Sequence, residues 1–155
     1  MAVETVPVNE YNFSEITTGG NGDTQPRITN GQGRAFKPYE IVLSNAAPYY
    51  CGEVREADGI ADGAKGRINI EHRRVIQTSQ IKKDTTAFAA GDEVFFKPGG
   101  SGAAGLIVAA ADKAAGSIAF GRIEDVTGSV GGSTGAYTYL YIRPYSYSPS
   151  RALET

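Results

Sequence analysis

The chain has 155 residues, with 15 Lys and Arg against 17 Asp and Glu and a hydrophobic share of 41%. A net charge of −2 with no basic stripe argues against nucleic acid as a partner, and no apolar run approaches the length of a bilayer span. The single cysteine, Cys51, excludes an intrachain disulfide and a thiolate zinc cluster, while 20 glycines suit short strands and turns better than helices.

One domain is expected at this length. No basic region followed by an apolar stretch opens the chain, so no secretory leader is expected, and folding in a cytoplasm follows. Residues 1–35 are expected to form an extended N-terminal arm. Met1–Val8 is extended in character, Thr17–Pro26 is nearly pure turn chemistry, and Asn30-Gly31 adds a further turn signal. Apolar residues there are too few for a separate core. Tyr11, Phe13 and Ile16 are the anchors of the arm, either against the chain's own body or against another surface.

The body is expected over residues 36–145. Glu40–Leu43 and Tyr49–Arg55 read as strands joined by a turn at Asn45–Pro48, with Cys51 as a small buried hydrophobe. Two Asp-Gly turns follow, at Asp58-Gly59 and Asp62-Gly63. Ile68, Ile70 and His72 alternate with Asn69 and Glu71, the period-two pattern of a strand with one face inward. The pattern shifts near Arg73-Arg74, where a bulge or a turn fits. Ala90–Lys97 opens on a Gly-Asp turn, continues through Val94, Phe95 and Phe96, and is stopped by Pro98. The strands before and after it in the chain are its expected partners. Gly105–Ala109 reads as a buried strand or a short helix. Asp112–Gly116 is a turn, Ser117–Ile123 a strand and Thr127–Gly135 a glycine-rich loop. Ala136–Tyr145 is the clearest strand, and residues 146–155 form a short polar tail. Seven or eight short strands with little helix define an all-β barrel or sandwich.

Few residues carry chemistry. Gly100-Ser-Gly-Ala-Ala-Gly105 matches the pattern of a dinucleotide loop, with Glu124 downstream. Such a site needs a helix N-terminus against the pyrophosphate and a continuing parallel sheet, and neither is expected. His72 is the only histidine and sits at the inward parity of its strand, as a packed side chain does. Asp92-Glu93 and Glu124-Asp125 are adjacent on strands and point to opposite faces. No catalytic residue, metal ligand set, cofactor site or small-molecule substrate is therefore expected. Tyr137, Tyr139 and Tyr141 share one face of the last strand, and Thr138, Leu140 and Ile142 the other. Neither is a usual solvent face, so cover on both sides is expected, one cover being another chain. A stacking platform for sugars or single-stranded bases is the rival for the tyrosines.

Four features occur in order: Ile60-Ala-Asp-Gly-Ala-Lys-Gly66 ahead of a strand, Ala89–Phe96, Phe120-Gly-Arg-Ile-Glu-Asp125, and the closing hydrophobic strand. Over roughly residues 36–145 the chain thereby resembles the phage capsid decoration (cement) proteins, and more narrowly their small β-barrel head proteins. An ADGAxG turn, an AGDxVY strand and an IGxA strand recur in that family. Here Phe95 stands where Tyr is frequent, and Arg122-Ile123 replaces a smaller pair. The resemblance implies a barrel or sandwich of the β-tulip kind and a non-enzymatic protein on the exterior of a tailed-phage virion, made in the host cytoplasm. It further implies the major capsid protein as partner, contacted by Tyr11, Phe13 and Ile16. A homotrimer with Tyr137, Tyr139 and Tyr141 at the subunit interface is expected, with no nucleic acid or membrane as partner. A carbohydrate- or receptor-binding β module of a phage fibre or baseplate is the alternative.

Overall fold

The computed structural model describes residues 25–46, 49–70, 75–82, 88–100, 102–128, 137–145 and 152–155. Within them lie β1 (Arg27–Thr29), β2 (Ile41–Leu43), β3 (Cys51–Val54), β4 (Lys65–Asn69), β5 (Ile76–Thr78), β6 (Glu93–Lys97), β7 (Leu106–Ala109), β8 (Ile118–Gly128) and β9 (Tyr137–Pro144). They form a four-stranded sheet, order β1-β4-β3-β2, and a five-stranded sheet, order β5-β9-β8-β6-β7. Neighbouring strands are antiparallel throughout, and the five-stranded sheet curls into a half-barrel. The all-β reading holds, with one 3-10 turn at Ala110–Asp112 as the helical content of the described residues.

β6 forms where its residues direct. Gly91 takes φ +90° in the turn before it, and the Asp92 carboxylate accepts the Ala89 N–H at 3.0 Å. Val94, Phe95 and Phe96 are all buried, so the strand is covered on both faces. Its partners are β7 and β8. The strand that precedes it in the chain, β5, is not a partner but lies at the far side of the sheet against β9. The last strand inserts between β8 and β5 and sets Ile142 opposite both Ile123 and Ile76. Burying these side chains together decides the order, and that pairing is invisible in local pattern. Gly105–Ala109 resolves as strand β7.

Irregularities bend β8. Its register shifts opposite Val94/Phe95, again between Ile123 and Asp125, and again between Thr127 and Gly128. Each bulge adds local twist. The resulting curl brings β7 round to the segment that follows β5. There Ile81 forms a parallel bridge with Ile107; the Ile107 N–H donates to the Gln80 carbonyl and the Lys82 N–H to the Ile107 carbonyl, both at 2.9 Å. One stretch of chain thus begins against β9 and ends against β7.

The main core fills the curl, with Val94, Phe96, Ile107, Ile118, Leu140 and Ile142 from the curled sheet and Ile41 from β2. A second cluster lies on the other face of the four-stranded sheet. There Val42, Val54 and Ile68 meet Phe36 and Ile60, whose backbones bridge to each other. Gln80 joins the layers. Fully buried, it accepts the Ile41 N–H at 2.8 Å and donates to the Ile41 carbonyl at 2.8 Å and the Gly105 carbonyl at 2.9 Å. Its amide occupies the place of a neighbouring strand's backbone.

Residues 25–35 of the expected arm are built into the body. Ile28 is buried opposite Gly66 in the pairing of β1 with β4. Buried Asn30 donates to the Arg34 and Ile60 carbonyls at 2.7 and 2.9 Å and accepts the Gln32 N–H at 3.0 Å. The turn signal there is real, but the turn is held inside the body. At the other end Glu154 donates its N–H to Ser117 at 2.7 Å and accepts from Gly116 at 2.9 Å, with its carboxylate 2.8 Å from Lys113.

Candidate functional site

The outward face of β9 is the first candidate. Leu140 and Ile142 point inward and are fully buried, so the odd-numbered residues face out. Tyr139 and Tyr141 are half-buried and Arg143 is exposed. The Tyr141 hydroxyl accepts from Gln77 Nε2 at 3.0 Å across the β5–β9 pair. Tyr145 donates its hydroxyl to Glu93 at 2.7 Å. Arg143 places Nε and Nη2 at 2.8 and 2.6 Å from one oxygen of Glu124. Glu124 is the extra residue of the second β8 bulge, which breaks strict alternation and leaves both it and Asp125 exposed. Farther along, Lys113 Nζ stands 4.5 Å over the Phe95 ring. The face is a polar, aromatic surface whose groups are oriented by one another. The β9 backbone at Tyr137 pairs with Gly128.

A cavity of about 490 Å³ is the second candidate. It opens between β2 and the loop from Pro98 to Gly105, lined by Phe36, Ile41, Leu43, Tyr49, Phe96 and Leu153 among others. Its charged groups, Arg34 and Glu40, pair with each other, while the buried Arg34 Nε has no hydrogen-bond partner among the described residues. The Glu40 side chain is fully buried, takes both terminal nitrogens of the Arg34 guanidinium and accepts the Lys37 N–H at 3.0 Å. The Arg34 guanidinium also lies 5.3 Å from the Phe36 ring centre. β2 is an edge strand. Ser44 donates to the Tyr50 carbonyl at 2.9 Å and Val54 to the Glu40 carbonyl at 2.8 Å, so residues 40, 42 and 44 face β3. Ile41 and Leu43 therefore direct their backbone groups the other way. Gln80 satisfies both at Ile41. At Leu43 no described residue does so, and Leu43 is one of the residues that line the cavity.

Tyr11, Phe13, Ile16 and His72 lie outside the described residues, as do Arg73 and Arg74; of Tyr137 only the backbone is described. Cys51 is half-buried and packs against the main core. The Gly100–Gly105 loop leads into strand β7, so no helix N-terminus stands behind it. Among the described residues no three His, Cys, Asp or Glu side chains gather as metal ligands. Gln80, the Arg34–Glu40 pair and the open β2 edge are missed by sequence reasoning. A polar residue in a polar stretch gives no sign that it will be buried. No protein-family model, curated protein or solved structure matches the chain.

Proposed function

We propose that the chain is a structural decoration protein that binds the exterior of a tailed-phage head. The observation that supports this is where the resembling segments fall. The Asp62-Gly63 turn precedes β4, the Gly91-Asp92 turn opens β6, Phe120–Asp125 lies within β8, and β9 closes the sheet. The shared features are thus the framework of one β body rather than scattered turns. Binding the intact lattice and not its ruptured form stabilises heads by mass action. Tyr11, Phe13 and Ile16 contact the major capsid protein, and the tyrosine face of β9 contacts sister subunits in a homotrimer.

The test removes residues 2–24. The cut stops before Gln25 because a deletion reaching residue 30 would take β1 and the buried Asn30 with it. The variant is expected to melt cooperatively but to lose co-sedimentation with undecorated heads; undiminished head binding sinks the arm's role. Light scattering should give a mass near three times the 16.3 kDa of the chain, and Tyr141→Ala should lower it. The half-buried tyrosines favour one rival, a sugar- or receptor-binding module. Ligand-dependent quenching of tyrosine fluorescence, lost in Tyr139→Ala, would support that reading instead.

A further inference from the structure

We infer that the open edge of β2 is a strand-addition site for the chain's own first residues, with Val6 or Val8 bonded to Leu43. The inference does not depend on head binding. An edge strand leaves unpaired N–H and C=O groups that template another strand. Here one position is already filled by a strand mimic, the Gln80 amide at Ile41, and the next, Leu43, lines the cavity. The far wall suits a close backbone approach. Gly99, Ala103 and Gly105 line it, so little side-chain bulk projects from that wall. Arg34 and Glu40 pair with each other, and the rest of the lining is largely apolar, which suits an apolar occupant better than a charged one.

Residues 1–8 have this chemistry, with Val3, Val6 and Val8 and a single charged side chain, Glu4. The other stretches between described residues are polar, charged or glycine-rich, and Tyr11–Ile16 carries bulkier anchors. Reach is ample: β1 and β2 are three strand spacings apart, about 14 Å, and the chain before Gln25 spans up to roughly 80 Å when extended. Pro7 sets the register. It has no amide hydrogen, so its nitrogen must turn away from β2, which places Val6 or Val8 opposite Leu43. A residue paired with Leu43 points to the same side as Leu43, toward the main core, where Phe96 and Leu153 line the cavity.

Amide exchange followed by NMR tests this, with the Val42 amide of the β2–β3 ladder as internal reference. In the full chain the Leu43 amide should exchange at least ~10-fold more slowly than in a variant lacking residues 2–9. A full-length chain with Val6→Asp and Val8→Asp, which leaves the body untouched, should behave like the deletion. A synthetic peptide of residues 1–10 should restore the slow exchange to the deletion variant. Equal Leu43 exchange in all three proteins overturns the inference. Protection that vanishes on dilution overturns it too, because the added strand would then come from a second copy. Both variants keep Tyr11, Phe13 and Ile16, so loss of head binding and release of Leu43 are separate outcomes.

Discussion

The two sheets are finished in different ways. The curled sheet is closed by backbone, as the segment after β5 bonds to β7. The four-stranded sheet stays open, and its β2 edge is finished at Ile41 by a side chain, Gln80. Closure by backbone leaves an interior of Ile, Val, Leu and Phe. Around the open sheet the polar side chains of Asn30, Glu40 and Gln80 lie inside, none of them more than 1% exposed. A buried polar network stabilises only while each member keeps its partners. Substitutions at the open sheet's polar supports should therefore reach furthest, and its edge is where a further strand can be added.

The largest effect is expected from Gln80→Leu. It strands the N–H and C=O of Ile41 and the C=O of Gly105, each worth ~1–3 kcal/mol when buried without a partner, so a loss of about 4 kcal/mol should appear in urea unfolding. A loss under about 1 kcal/mol would mean that the side chain does not finish the edge. Arg34→Met comes next. It leaves the fully buried Glu40 carboxylate with the Lys37 N–H as its described donor, at a cost of about 3 kcal/mol. Adding Glu40→Gln should recover part of this, and a double-mutant cycle with purely additive losses would deny the pair its role.

The same contrast explains what could be read in advance. Strands built by local pattern were legible: the turn, the Val-Phe-Phe run of β-formers and the proline around β6 all speak within ten residues. The choice of the Leu140 and Ile142 face over the tyrosines follows from Ile142, which meets Ile76 and Ile123. The place of β9 between β5 and β8 depends on contacts far apart in the chain, so the order of strands was hidden. Gln80 was hidden for a different reason: its three partners are the backbones of Ile41 and Gly105, and a backbone carries no sequence signature. The tyrosine face of β9 was legible as a pattern, yet its partial cover by Gln77 comes from β5 and could not be foreseen.

That cover supplies a smaller effect. Tyr141→Phe removes the hydroxyl that accepts from Gln77 at 3.0 Å on a half-buried surface. The expected loss is about 1 kcal/mol or less, well below that of Gln80→Leu. Equal losses from the two would erase the distinction between a sheet sealed by side chains and a surface merely ordered by them.

The smallest effect at neutral pH is expected at Tyr39, which turns the chain into β2 with φ +65°. Its ring lies 5.0 Å from the Arg55 guanidinium. Burial pushes the phenol above its ordinary value of 10.0; Arg55 opposes the rise and Glu53 adds to it. The folded chain therefore holds this proton more tightly than the unfolded chain does. The corresponding stability is complete below the unfolded value of about 10 and is lost as pH rises through the folded value. Tyr39→Phe keeps the ring beneath Arg55 and removes the titration, so stability should fall less steeply above pH 10 in the variant than in the parent. Urea midpoints measured through that range decide it. Parallel curves for the two proteins would mean that the phenol is as well hydrated in the folded turn as in the unfolded chain, and that the polar burial beside the open sheet stops short of Tyr39.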